Sequence, residues 1–379
     1  MTGNAKRARA RELGIRIGRF DTGPWNAITD VQGVAVGHTT LIEGEGPLQV
    51  GKGPVRTGLT VVFPHGDGIA RDPVFAGYHQ LNGNGEMTGV AWIEESGLLT
   101  SPIGITNTHS VGIVRDSIIA WEARAGGFDE NVTFGLPVVA ETYDGWLNDI
   151  NGFHVKQEHV FSARETAAPC PFPEGCVGGG TGMICHQFKG GIGTSSRRTP
   201  TSDDTWTVGV LVQANYGSRH LLRIDGVPVG EEIPLSEVPE SRVNPEHMAG
   251  DQGSIIIVVA TDAPLLPHQC KRLAQRATIG LARTGGYGSN GSGDIFLAFS
   301  TGNRGVDKAE NLAPTTVRCF PNRAISELFE ATMEATEEAI VNAMCMAATM
   351  VGVNGRTCTA IPLDRLSGVM QKHGRLHRA

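Results

Sequence analysis

Four short stretches of this chain hold residue types that could do acyl-transfer chemistry together. The first, GDQGSIIIVVATDAPLLP at 250–267, sets Gly253 and Ser254 at the edge of the most apolar run in the sequence. The second, GGYGSNGSGDIFLAFST at 285–301, packs Ser289, Asn290, Ser292 and Asp294 into a glycine-dense turn before another apolar run. The third, AETYDGWLND at 140–149, carries Glu141, Tyr143, Asp144 and Trp146, and the fourth, VQANYGSR at 212–219, carries Asn215. A serine hydroxyl, a tyrosine hydroxyl, an asparagine amide and carboxylates at strand ends would supply a nucleophile, oxyanion donors and charge. Taken one at a time, each stretch also reads as an ordinary polar turn or strand start.

These residues depend on the elements that carry them. Strand-like runs occur at 58–63, 89–94, 136–141, 205–213, 254–260 and 295–300, rich in β-branched and aromatic residues and bounded by Gly, Pro or Asn. Helical periodicity spans 110–125, 267–283 and 324–347; in the last, Ile325, Leu328, Phe329, Met333, Ile340 and Met344 share one face. The class is therefore mixed α and β. The segment 231–253 is polar, holds three prolines and follows neither period, so it reads as a surface linker and a good place to cut. The pieces on either side each look incomplete, which points to one shared core.

Composition narrows the field. A chain of 379 residues is long enough for a substantial core. Its 51 glycines fall between clear apolar runs, which suggests tight turns and close backbone approaches rather than disorder. A formal net charge of −7 argues against nucleic acid or an anionic membrane as the main partner. No apolar run reaches the roughly 18–20 residues of a membrane span. The N-terminus lacks the apolar centre of a secretory signal, so a cytoplasmic protein is expected. Seven cysteines, an odd number without a C-x-x-C pair, read as reduced thiols; Cys170 and Cys176, close together in a Pro-rich loop, are the one pair to watch.

VGGGTGM at 177–183 lacks the Lys-Ser/Thr ending of a phosphate loop and the spacing of a dinucleotide fingerprint. Close packing around a site explains it better, as it does KGGIG at 189–193. The twelve histidines are scattered, and even His154 and His159 are spaced unlike metal ligands, so neither a metal nor another cofactor is expected. No histidine stands out as the partner of a serine triad.

In combination, GSIIIVVATDAPL, GSGDIFLAFST, ETYDGxLND and VGGGTGM resemble the DmpA-type peptidases, the L-aminopeptidase/D-esterase and β-aminopeptidase group. The stretches 17–40 and 354–366 share the likeness, which covers nearly the whole chain. The resemblance implies an αββα sandwich like that of N-terminal-nucleophile hydrolases, in one domain spanning residues 1–379. It also implies a precursor that cleaves itself at Gly253–Ser254, giving residues 1–253 and 254–379. Ser254 matches the nucleophile. Ser292 and Asp294 match the residues that hold and polarise it, although some relatives carry Glu at the acidic position. Tyr143 and Asn215 match the oxyanion pair, and Glu141 matches the carboxylate that receives a substrate ammonium. Short peptides, amides or esters would be the substrates, and a homotetramer of cleaved pairs the assembly. Two other readings stand beside this one: an ornithine acetyltransferase-like acyl transferase, which would cut before a threonine, and a non-catalytic relative acting as a scaffold.

Overall fold

The computed structural model describes residues 6–66, 68–124, 134–201, 204–240, 253–308 and 312–377. Two sheets face each other. The smaller contains β1 (Ala35–Glu43), β2 (Val55–Phe63), β5 (Ile103–Asn107) and β6 (Val138–Thr142), in the order β1-β2-β5-β6. The larger contains β3 (Val74–Gln80), β4 (Leu98–Leu99), β9 (Gly191–Thr201), β10 (Asp204–Asn215), β11 (Ser254–Thr261) and β12 (Asp294–Ser300). Its order is β4-β3-β12-β11-β10-β9. A two-stranded hairpin of β7 (Ile184–Cys185) and β8 (Phe188–Lys189) lies beside it.

Alternation along the strands explains the layers. On β11, Ile255, Ile257 and Val259 pack with Leu273 and Ala277 of α5 (Pro267–Arg283) and Ala335 and Ala339 of α6 (Ile325–Met346). Ile256, Val258 and Ala260 point the other way and meet Val62, Ile103, Ile105 and Ala140 of the smaller sheet. The unbroken apolar run is thus a strand covered on both faces. The outer face of the smaller sheet, through Leu59 and Val61, packs on Val114 and Ile118 of α2 (Val111–Arg124) and Val160 and Ala163 of α3 (Gln157–Glu165). The result is an αββα sandwich. No helix among the described residues is long and apolar enough to cross a membrane.

Residues after 253 supply the two central strands, β11 and β12, flanked on both sides by strands from earlier in the chain. Neither piece could close this sheet alone. The 231–253 segment is less loose than its composition suggests, up to residue 240: α4 (Val229–Glu232) opens it. Arg219 donates to the carbonyls of Ile233 and Val238, and Arg365 of α7 (Leu363–Lys372) pairs with Glu237. Residues 241–252 lie outside the described residues.

One local expectation changes, and one long strand was not anticipated. The 89–94 run is a helix, α1 (Val90–Ser96), closed at both ends by glycines, Gly89 at φ 73° and Gly97 at φ 74°. Only Ile93 is buried along it, a pattern that suits one helical face and not a strand. Conversely, GIGTSSRRTPT is the long strand β9. Its polar residues satisfy one another's surroundings: Ser195 Oγ donates to the Ala335 carbonyl at 2.8 Å and Ser196 Oγ to Asp30 at 2.6 Å. Gly193 lets α6 approach, since a Cβ there would lie 2.0 Å from the Ala339 carbonyl oxygen.

The same strand carries the fully buried Arg197, which pairs with Glu334 at 3.0 Å and Glu338 at 2.7 Å of α6 and donates to the Ile17 carbonyl at 2.7 Å. Arg11 pairs with Glu338 as well. Burial alone would raise the Glu338 pKa; Arg197, Arg11 and Asn26 more than offset it, and the group sits below its ordinary value. This network ties the N-terminal arm, β9 and α6 together. Arg197→Met removes a charge partner from each of two buried carboxylates and should lower unfolding free energy by about 3–5 kcal/mol. Urea denaturation checks this; an unchanged midpoint would show the network to be dispensable.

Candidate active site

Ser254 is the first residue of β11 and stands directly opposite Asn215, the last of β10. Both border a cavity of about 370 Å³ that opens between the two sheets, together with Asn84, Thr108, Glu141 and Tyr143. The Gly293 N–H donates to Ser254 Oγ at 3.1 Å. Asn215 is held at both ends of its amide: Oδ1 accepts from the Ile184 N–H at 2.8 Å, and Nδ2 donates to the Tyr143 carbonyl at 3.0 Å. The second Nδ2 hydrogen is the one left to face a ligand. Gly253 precedes the serine and is buried; a Cβ there would sit 2.6 Å from Tyr216 Cα and 2.7 Å from the Asn215 carbonyl oxygen. The need for glycine at 253 is therefore visible as a close approach of backbones.

The end of β6, which carries Glu141, and the loop after it form the opposite wall. Glu141 is buried, with one carboxylate oxygen accepting from the Glu86 N–H at 3.0 Å and the other from the Thr108 hydroxyl. Burial raises its pKa, while these two donors hold the rise back. Tyr143 is half-exposed, and partial burial and the neighbouring Asp144 raise its phenol pKa. Asp144 is enclosed beneath the loop, accepting from Asn107 and Asn148, each at 3.0 Å. Burial pushes its carboxyl up to about 6 against the pull of Thr57, Asn107 and Asn148.

Ser292 and Asp294 lie just behind the strand end. Ser292 Oγ donates to Asp294 Oδ1 at 2.6 Å. Asp294 shares the face of β12 that carries Phe296 toward α5 and α6, so its carboxylate sits on the far side of the sheet from the Ser254 hydroxyl. With Gly253, Ser292 and Tyr216 it borders a second cavity of about 10 Å³, and Gly253 borders both cavities. The residue before the serine is thus the partition between the substrate-sized space and the carboxylate.

All seven residues to which the family resemblance gives a part converge here, in two adjoining groups. Others were not anticipated. Asn82, after β3, grips Asp294 reciprocally: its Oδ1 accepts from the Asp294 N–H at 2.6 Å, and its Nδ2 donates to Oδ2 at 3.1 Å. Thr108 and the Asn107 and Asn148 partners of Asp144 also escaped notice; the repeated Asn-Gly of LNGNGE was the available hint for Asn82. VGGGTGM is packed against the site, with Gly182 on the cavity wall. His154 pairs with Asp149 at 2.9 Å, and His159 accepts from the Lys156 N–H. Cys170 and Cys176 are separate thiols, the Cys176 sulfur lying 3.3 Å from both the carbonyl oxygen and the nitrogen of Ala348. Among the described residues no group of three or more His, Cys, Asp or Glu is placed to hold a metal ion.

A serine opening a central strand of an αββα sandwich defines a variant of the N-terminal-nucleophile hydrolase fold. The comparisons agree. The profile of peptidase family S58 matches residues 26–358, and the chain belongs to that family. The β-peptidyl aminopeptidase BapA of Sphingosinicella microcystinivorans is 51% identical, the match covering 99% of this chain and 95% of that protein. Among solved structures, a β-aminopeptidase from Burkholderia sp. is 51% identical with a TM-score of 0.86, covering 97% of this chain and 99% of that one. The L-aminopeptidase D-Ala-esterase/amidase of Ochrobactrum anthropi, described as a prototype serine aminopeptidase, is 44% identical with a TM-score of 0.88, covering 97% and 99%. The present chain is a serine aminopeptidase of this type.

The raised Asp144 pKa has a sign that can be checked. The folded protein binds this proton more tightly than the unfolded chain does, so its contribution to stability is full below the ordinary aspartate range. That contribution is lost as pH rises through about 6. The stability of the wild type relative to Asp144→Asn should therefore decline between pH 4 and 7 in urea titrations. A difference independent of pH would contradict the raised value.

Proposed function

We propose that the protein is made as a precursor that cuts itself at Gly253–Ser254, then releases N-terminal residues, β-amino residues among them, from short peptides, amides or esters. The observation that carries this reading is the placement of Ser254, Asn215, Tyr143 and Glu141 around one cavity, with Gly253 as its back wall. In the first reaction Ser254 Oγ attacks the Gly253 carbonyl carbon. The amide C–N bond breaks as the C–O ester bond forms, and the Ser254 nitrogen leaves as a free amine. Water then hydrolyses the ester, giving a Gly253 carboxylate and a free Ser254 hydroxyl.

In the second reaction the Ser254 amine, titrating near roughly 7.7–8 in model compounds, takes the hydroxyl proton. Oγ attacks the substrate carbonyl, and the oxyanion receives hydrogen bonds from Asn215 Nδ2 and the Tyr143 hydroxyl. Collapse expels the leaving amine with the proton held on the Ser254 ammonium, and water releases the acyl group from Oγ. Ser292 and Asp294, positioned by Asn82, hold the serine end and favour the charged state of its amine. Glu141 pairs with the substrate ammonium, which restricts cleavage to chain ends. The 51% identity to named β-aminopeptidases supports acceptance of β-residues. The assembly is a cytoplasmic homotetramer of cut pairs, on the strength of the family resemblance. Membership of a peptidase family favours hydrolysis over acetyl transfer or a scaffold role.

Purified protein should run as two fragments on a denaturing gel, the smaller beginning SIIIVV, and Ser254→Ala should remain whole. Cleavage at this bond in the alanine variant would sink the mechanism. On cut enzyme, Asn215→Ala should lower kcat by about 10²–10³. Glu141→Gln should raise KM by roughly 10- to 100-fold. Anilides of α-L, α-D and β-amino acids read out both effects; no release from any β-anilide would remove β-residues from the substrate range.

A further inference from the structure

We infer that Lys189 is a positioning residue for the reaction, strengthening the Asn215 amide through the single peptide group that joins Met183 to Ile184. The inference rests on the proposed role of Asn215 as an oxyanion donor. Lys189, in β8, is fully buried, and its ammonium has no ion pair among the described residues. It donates instead to carbonyl oxygens: Met183 at 2.7 Å, Gly190 at 3.0 Å and, at the long end, Gly180 at 3.4 Å. The shortest of these goes to the peptide whose N–H, on Ile184, donates to Asn215 Oδ1 at 2.8 Å. The path is continuous: ammonium, Met183 C=O, Ile184 N–H, Asn215 Oδ1, Asn215 Nδ2, cavity.

Each link acts in one direction. A cation on a peptide oxygen draws electron density from the nitrogen and makes its N–H a stronger donor. A stronger donor on Oδ1 polarises the side-chain amide in the same way and makes Nδ2 a better donor to an anion. The positive charge itself is shielded from water, so its field is felt across the short path to the cavity. A neutral ground-state carbonyl gains little from this arrangement, and a developing oxyanion gains more. A purely structural lysine, capping carbonyls of the glycine-rich loop, would serve both states equally.

Lys189→Met keeps the stem and removes the ammonium. Rates are taken per titrated active site on cut enzyme, with an amino-acid anilide as substrate and an aminoaldehyde as the inhibitor forming a tetrahedral adduct on the serine. The expected result is a fall of about tenfold in kcat and in affinity for the aldehyde, with KM changed less than about twofold. In an Asn215→Ala background the same substitution should change kcat by less than about twofold, because the path is already broken. An undiminished tenfold effect in that background would overturn the inference. So would wild-type kcat in Lys189→Met when Asn215→Ala is impaired; wild-type kcat in Asn215→Ala would instead sink the oxyanion role on which it rests. If Lys189→Met does not fold or mature, wild-type protein carries the test. Met183–Ile184 is the only Met-Ile step in the sequence, so carbonyl-¹³C methionine with ¹⁵N isoleucine isolates one amide. Its proton resonance should move downfield when the aldehyde adduct forms, and no movement would overturn the proposal.

Discussion

The pairing of Asn215 with Ser254 at the common end of two central strands is the constraint from which the site follows. An antiparallel register places their side chains next to each other on the same face of the sheet. That face looks toward the smaller sheet, whose β6 carries Glu141 near its end and leads straight into Tyr143. A slip of one residue between β10 and β11 would turn Ser254 toward the helices and bury it among Ile257-type contacts. The alternation of Ile255 to Ala260 between two apolar layers opposes such a slip.

Around this pair the protein buries three carboxylates, and each is answered. Glu141 has Glu86 and Thr108; Asp294 has Ser292 and Asn82; Asp144 has Asn107 and Asn148. Such networks fix side chains in place because an unmet donor or acceptor in the interior is costly. The outer network of Arg197, Glu334 and Glu338 does the same for the scaffold, joining an N-terminal arm to α6 far along the chain. Rigid support from both sides suits the aimed dipoles of the proposed mechanism.

Ser254, Asn215, Tyr143 and Glu141 were legible because hydroxyls, amides and carboxylates at strand ends carry a recognisable pattern, made specific by family likeness. β11, α5 and α6 were legible from periodicity alone. β9 was not, since its Ser-Ser-Arg-Arg run looks like a loop until a buried ion network accounts for it. α1 was misread because VAWI is equally apolar in a strand, and only its bracketing glycines and single buried isoleucine distinguish the helix. Asn82, Thr108 and Lys189 were hidden for a different reason. Their importance lies in which atom they touch across distant parts of the chain, and no local spacing encodes that.

The central position of β11 bears on what a chain end would mean here. Ordinary termini fray, because nothing pairs with them beyond the last residue. An end created at Ser254 would instead begin inside a sheet, with β10 on one side and β12 on the other. Its amine would have almost no directions available to it, and little entropy left to lose on reaching the hydroxyl three bonds away. On the proposed cut, the strand order would turn what is usually the most mobile atom of a polypeptide into one of the most confined.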